Sequence, residues 1–376
     1  MNVIELAPLD HVSRVERLRA GMPAAGIDAL LVTSLTNVRW LTGFTGSNGW
    51  VLITPHEMTL ITDGRYGDQS REQIAASGVE ADVAIGATRA LMTGLLDAAM
   101  IAGHVSRLGF EAAHLSYAEH RSLSAAVGRT WLPTSEMVEL LRRTKDQGEI
   151  DRMEHAADIA DSALAATLPL LAGEPTESTF RDALEAAMRM GGGDGPSFDT
   201  IVAAGPNAAL PHHHPSDTRI VQGMTVVVDF GALYDGYHSD MTRTFTMGEP
   251  TSMQAEVYQV VLDAQRAGVA AVEPGARGQA LDLVCRNRIT AAGWGEWFTH
   301  GTGHGVGLLI HESPWLTQAY DDTLAAMDVV TVEPGVYRRD FGGVRIEDMV
   351  VVTTDGCRPL TKTPKDSACL PSPPTI

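Results

Sequence analysis

The sequence predicts an α/β domain over the first third of the chain and an α+β domain over the rest. Three observations lead there. Short apolar runs alternate with helix-period segments up to residue 135, the pattern of a mixed sheet covered by helices. From residue 144 onward helices come in pairs, each pair followed by strand-rich sequence. Hydrophobic residues make up 44% of the 376 and charged residues 20%, enough for sizeable cores and incompatible with disorder of the whole chain.

Taken in order, His11 to Met22 places Val12, Val15, Leu18 and Met22 at helical spacing. ALLVTS (29–34) follows as a buried strand, then WVLIT (50–54) and MTLIT (58–62) around a Pro-His-Glu turn. DVAI (82–85) and RLGFE (107–111) read as further strands, with helical segments between and after them. Residues 136–143 are expected to link the domains. Thr144 with Gln147 three residues later has the form of a capping box. Ile150, Met153, Ala157, Ala160, Leu164, Leu168 and Leu171 then line one face of a long helix that Gly173 and Pro175 end. Helices at 145–172 and 177–190 precede strands within 198–247, and helices at 252–272 and 278–292 precede strands within 297–353. Two such halves would face each other across a crevice. The domain closes at residue 365, and the Pro- and Ser-rich tail 366–376 is expected to fray.

Asp+Glu outnumber Lys+Arg 47 to 28, a net charge of -19, and lysine occurs only at Lys145, Lys362 and Lys365. Nucleic-acid and anionic-membrane surfaces need clustered positive charge, so neither is an expected partner. Cys285, Cys357 and Cys369 form neither a CxxC nor an even set, which fits a reducing compartment. No stretch approaches the roughly 18 uncharged apolar residues of a spanning helix. A cytoplasmic, soluble protein is expected.

The chemistry concentrates in the second domain. TVVVDFGALYDGYHSDMTRTF (225–245) is a strand, an Asp-Gly turn and a returning strand. With the turn near Asp235-Gly236, Asp229 either faces Asp240 or lies one diagonal step away on the same face. Two aspartates so close repel unless a cation lies between them. An acidic pair on a hairpin is ordinarily a solvated face, but HGTGHGVGLLIHESP (300–314) adds His300, His304 and His311 in a glycine-rich setting. VVTVEPGVY (329–337) ends a strand on Glu333, and GGVRIEDMVVV (342–352) puts Arg345 and Glu347 on one face, with a bulge near Asp348. Arg345 pairing with Glu347 is the alternative that needs no metal. Together Asp229, Asp240, His304, Glu333 and Glu347 offer four carboxylates and one imidazole, a set suited to Mn²⁺, Co²⁺, Zn²⁺ or Fe²⁺. Four negative charges balance two divalent ions, between which a water can become the nucleophile.

These residues resemble the metallopeptidase family with the pita-bread fold, which contains methionine aminopeptidase, aminopeptidase P, Xaa-Pro dipeptidase (prolidase) and the metal-free creatinase. NVRWLTGFTGSNG (37–49) and ITDGRY (61–66) resemble the amino-terminal domain that prolidase, aminopeptidase P and creatinase share. PNAALPHHHPSD (206–217), DFG, SDMTRTF, GTGHGVG, IHE, VEPGVY and RIED resemble the catalytic motifs in family order. The resemblance implies a creatinase-like α/β domain at 1–135, a linker at 136–143 and a pita-bread catalytic domain at 144–365. It further implies that Asp229 is a bidentate ligand of one metal, that His304 and Glu333 hold the other, and that Asp240 and Glu347 bridge both. His212 would contact the residue after the scissile bond, His311 would steady the developing oxyanion, and Glu333 would take the proton of the bridging water. Tyr337 would lie near the proline pocket, Arg345 beside the bridging glutamate, and His300 on the substrate side. His304 and His311 are seven apart, so a bulge or break must bring them to one site.

The expected function is hydrolysis of Xaa-Pro peptide bonds with two divalent ions, Mn²⁺ foremost, as an Xaa-Pro dipeptidase. Aminopeptidase P, releasing the first residue of longer Xaa-Pro peptides, is the alternative. Trp315 stands where some prolidases carry an arginine just after HExP, which weakens the dipeptidase case. The intact ligand set counts against a creatinase-like amidinohydrolase or a non-catalytic binding module. The amino-terminal domain counts against methionine aminopeptidase. The resemblance also implies a homodimer, with Trp40 a candidate for the contact between subunits.

Overall fold

A computed structural model describes residues 5–367; Cys369 and nearly all of the expected tail lie outside them. The chain divides into two units, Pro8–Arg142 and the chain from Arg143 onward with the residues just before Pro8. The segment 136–143 contains a short helix, Glu139–Arg143.

The first unit is built on a six-stranded mixed sheet, in the order Asp82–Ile85, Met58–Thr62, Gly49–Ile53, Ala29–Val32, Arg107–Glu111, Thr130–Thr134. The central runs ALLV and GWVLI are buried throughout, which is why they read as continuous rather than alternating apolar segments. The last strand, TWLPT, was not foreseen: Pro133 lacks a ladder donor, and such a strand is tolerated because it lies at the sheet edge. The helix His11–Gly21 buries Val15 and Leu18 but leaves Val12 45% exposed. Trp40, the candidate for a contact between subunits, lies inside this unit. It is 1% exposed, with the Arg14 guanidinium 4.8 Å from its ring centroid, and is a core aromatic of this unit.

In the second unit the long helix runs Gln147–Thr167 and continues as a 3-10 turn to Gly173. Its capping box is Asp146 with Glu149, not Thr144 with Gln147. Thr144 is instead drawn into an isolated β-bridge with Asp328, which fixes its backbone outside the helix start. Counted to Gly173 this helix is long and apolar enough, by length and composition, to cross a membrane. Its apolar face is nevertheless committed: Ile159, Ala160, Ala163 and Leu164 join Phe180, Leu184 and Met188 of the helix Glu177–Met190 in one core. The second helix pair, Ser252–Ala270 and Gly278–Ala291, builds a separate core around Val261, Leu281, Val332 and Val350.

Among the described residues, four sheets complete the unit. One runs Met241–Thr246, Thr225–Phe230, Ile201–Ala204, and a second Tyr237–His238, Ala232–Tyr234, Gly195–Pro196. The third orders Glu312–Leu316, Gly303–Gly305, Val329–Val332, Asp348–Val352 and Cys357–Pro359; the fourth pairs Gly335–Arg338 with Gly342–Arg345. Hydrogen bonds stitch the first sheet to the others: Glu347 N donates to Thr242 O (3.1 Å) and Thr244 Oγ1 to Arg345 O (2.7 Å).

Asp146→Ala is expected to lower unfolding free energy by about 1 kcal/mol, the usual worth of an N-cap. Urea denaturation of both proteins measures it.

Candidate metal centre

The predicted hairpin pairs with Met241 opposite Phe230 and Thr242 opposite Asp229. Asp240 is therefore one diagonal step from Asp229, the second of the two expected arrangements. Val226 and Val228 point into one core, while Val227 and Asp229 turn to the other face. Between the two sheets the chain passes through Gly231, where a Cβ would lie 1.8 Å from Ser239 O. Only glycine admits that approach, and it leads directly into Asp240.

His304 sits on the short strand Gly303–Gly305, and the register shifts between His304 and Gly305. The chain then reverses, and His311 returns with its ring centroid 4.4 Å from that of His304. A bulge and a reversal thus supply what the seven-residue spacing demanded. Gly303 lets the strand close on its neighbour, since a Cβ there would lie 2.0 Å from Thr331 O. His304 Nδ1 lies 3.0 Å from Gly305 O. That carbonyl fixes the proton on Nδ1 and leaves the Nε2 lone pair facing Asp240 Oδ2 at 3.6 Å and Glu333 Oε1 at 3.5 Å. Burial, with His311 beside it, pushes the His304 pKa down to about 3.

Glu333 follows directly on the strand Val329–Val332. Glu347 lies where the chain leaves one sheet at Arg345 and enters another at Asp348, so a crossover replaces the expected bulge. Its carboxylate accepts from Thr242 Oγ1 at 2.7 Å. Arg345 does not take Glu347 as its partner. Because the strand breaks after it, its guanidinium reaches Asp229 Oδ2 at 2.5 Å, Thr242 Oγ1 at 3.0 Å and Tyr337 Oη at 2.8 Å.

Donor atoms of Asp240, His304 and Glu347 all lie within 4.8 Å of one another. The electrostatics explain what such a cluster lacks. Burial, then the charges of Glu347, Asp229 and Glu333, raises the Asp240 pKa well above the carboxylate range. Burial and Glu347 do the same to Glu333, and burial and Asp229 bring Glu347 up to about 8. Asp229 Oδ1 is buried with no hydrogen-bond partner. Among the described residues lining the cleft, Arg345 is the one side chain of permanent positive charge. An imidazole lone pair aimed at carboxylates, an orphaned carboxylate oxygen and excess negative charge are together the donor set of divalent cations.

The cleft has a volume of about 680 Å³ and is lined by all five of these residues and by His212, His300, His311 and Arg345. His212 and His311 are exposed at its wall. His300 lies behind, its Nε2 2.9 Å from Tyr337 Oη, and burial with the Arg345 charge lowers its pKa to about 4. Tyr337 is 7% exposed and joins His300 to Arg345. Two residues of the site escaped the sequence reading. Thr242 is held between Arg345 and Glu347. The fully buried Glu177 accepts from Ala204 N, Asn207 Nδ2, Ser216 N and Ser216 Oγ, and pairs with His213 at 2.8 Å. Glu177 thereby anchors the loop that carries His212. In sequence it is only an acidic residue in a helix's first turn, a common stabilising feature.

Residues 151–354 match the family model of metallopeptidase family M24. The chain belongs to that family. Residues 14–144 match the creatinase/prolidase N-terminal domain, so both parts of the expected fold are borne out. An uncharacterized peptidase of Bacillus subtilis, YqhT, is 43% identical over 354 residues, 94% of this chain and 99% of the relative. The structure of an Xaa-Pro dipeptidase from Bacillus anthracis superposes with a TM-score of 0.91 at 40% identity, covering 96% of this chain and all (100%) of that one. An X-Pro aminopeptidase from Thermotoga maritima gives 0.86 at 34% identity, over 94% of this chain and 99% of that one. As an M24 metallopeptidase, this chain is an enzyme that works with divalent metal.

Glu347 titrates at about 8 in the folded metal-free protein, against an ordinary 4.5. Between those values the folded state holds a proton that the unfolded chain has released, so its contribution to stability falls as pH rises. A divalent ion held by Glu347 would take the place of that proton. The difference in Tm between Mn²⁺-loaded and EDTA-stripped protein is expected to widen from pH 6 to pH 8; a constant difference would contradict the site.

Proposed function

We propose that this chain is an Xaa-Pro dipeptidase whose two divalent ions, Mn²⁺ foremost, are held by Asp229, Asp240, His304, Glu333 and Glu347. The observation that carries the reading is the convergence of four carboxylates and one imidazole lone pair on a cleft whose lining includes a single arginine. In this reading Asp229 serves one ion, His304 and Glu333 the other, and Asp240 and Glu347 both. Bound there, such ions polarise a carbonyl and make a water acidic enough to attack it near neutral pH.

The remaining work falls to the side chains. His311 presents an imidazole N–H to the carbonyl oxygen as it gains charge. Glu333 accepts a proton and returns it to the prolyl nitrogen, which has no hydrogen of its own in the peptide. His212 and His300 flank the residue after the scissile bond, and Tyr337 and Arg345 brace the floor of the proline side through their mutual hydrogen bond. Arg345 also holds Asp229 in place. A homodimer, a cytoplasmic setting and peptides rather than nucleic acid or membrane as partners belong to the same proposal.

Aminopeptidase P is the second reading, and Trp315 favours it. A dipeptidase needs a cation near the proline carboxylate, yet the cleft wall after Pro314 is an indole, and Arg345 is engaged by Asp229. Comparing an Xaa-Pro dipeptide with the matching Xaa-Pro-Yaa tripeptide decides. Faster cleavage of the dipeptide supports the first reading, and faster cleavage of the tripeptide replaces it with the second.

Asp240→Ala is expected to lose metal binding and hydrolysis together; full activity in that variant would sink the two-ion site. His311→Ala should keep its metal while kcat falls about 10²- to 10³-fold. An effect on KM alone would remove oxyanion stabilisation from its role.

A further inference from the structure

Behind the cleft, on the side away from substrate, lies a second polar cluster that the chemistry above does not use. Its centre is Arg243, 1% exposed, on the strand that carries Thr242. The guanidinium donates in two directions. Toward the site it reaches Thr242 O at 2.9 Å and, through a shorter contact, Glu347 O. Away from it, the same group donates to Thr363 O from Nε at 3.0 Å and from Nη2 at 2.6 Å, and to Asp348 Oδ1 at 2.8 Å.

Thr363 belongs to an extended segment near the carboxyl end that is gripped along its length. Asp161, on the long first helix, accepts from Lys362 N (2.8 Å) and Thr363 N (2.7 Å). Thr361 Oγ1 donates to Asp348 Oδ1 at 3.0 Å, and Tyr258 Oη donates to Lys365 O at 3.0 Å. Lys365 Nζ meets Gln265 Oε1 at 2.8 Å and also Asp348. The segment thus spans helices of both halves, and its one link to the Glu347 backbone among these contacts is Arg243.

We propose that residues 361–365 form a strap that fixes the peptide of Glu347 against Thr242, and that Arg243 is the positioning residue through which it acts. The inference rests on Glu347 being a metal ligand. Its physical basis is that a ligand on a crossover between two sheets has no ladder to hold it. Here the peptide on either side of the carboxylate is pinned instead by Glu347 N to Thr242 O and by Arg243 to Glu347 O. Groups that orient a ligand in this way govern metal affinity.

The test uses full-length protein stripped of metal and titrated calorimetrically with Mn²⁺ alone. Arg243→Met should weaken Mn²⁺ binding about 10- to 100-fold, with kcat for an Xaa-Pro dipeptide falling at limiting Mn²⁺ while KM at saturating Mn²⁺ stays near wild type. Arg243→Lys should recover part of the affinity. Asp161→Ala loosens the strap while leaving the Arg243 side chain in place and should weaken Mn²⁺ binding in the same direction; it decides the matter if Arg243→Met does not fold. Folded variants with wild-type Mn²⁺ affinity overturn the proposal, as does a wild-type protein that binds no Mn²⁺. A wild type that binds Mn²⁺ but cleaves no Xaa-Pro peptide removes the dipeptidase reading and leaves the strap to be judged on affinity alone.

Discussion

Mutual repulsion among buried carboxylates is the constraint around which the catalytic unit is organised. Asp229, Asp240, Glu333 and Glu347 come from separate strands and turns and share one cleft, where the charges of Glu347, Asp229 and Glu333 raise the cost of ionising Asp240. The fold offsets part of that cost with Arg345 on Asp229 and the Thr242 hydroxyl on Glu347. It leaves Asp229 Oδ1 without a hydrogen-bond partner and turns the His304 lone pair toward Asp240 and Glu333. A fold stabilised for its own sake would have filled these positions with apolar side chains, since buried charge is weak evidence of stability. Their presence fits a family that works with divalent metal.

Holding such a set requires rigid backbone on every side, and the molecule supplies it unevenly. Asp229 and Thr242 lie on a regular ladder. Asp240, Glu333 and Glu347 instead lie where strands end or change sheets, and the two glutamates are fixed by bonds that cross between elements. Glu333 N reaches Thr302 O at 2.7 Å, and Glu347 N reaches Thr242 O. Even the loop bearing His212 depends on a buried anion, Glu177, well away from the clustered carboxylates in sequence. Strand ends give the carboxylates freedom to converge, and these cross-links remove the freedom that would let them separate.

Much of this was legible before any coordinates. The Asp-Gly turn put Asp229 and Asp240 on one face in either of two registers, and the family resemblance with the seven-residue spacing demanded a bulge or break between His304 and His311. The two-part fold followed from strand–helix alternation and paired helices. What stayed hidden has physical causes. The edge strand Thr130–Thr134 contains a proline that argues against a strand unless its edge position is known. The helix start at Asp146 depended on Thr144 being claimed by a distant bridge. Arg345 was read as sharing a face with Glu347 because a sequence shows the alternation of a strand but not the point where it crosses to another sheet. Glu177 and Thr242 act through partners remote in sequence, which no local pattern reveals.

Gly231 and Gly303 carry no functional group, yet each admits a backbone carbonyl where a methyl group would stand, at 1.8 and 2.0 Å. Neither clash can be relieved by turning a flexible side chain, because the opposing atom belongs to the main chain, at Ser239 and Thr331. As related sequences diverge, these two positions should therefore resist exchange as stubbornly as the acidic residues they serve. A tolerance map of the chain would mark the cleft as much by its missing side chains as by its chemical ones.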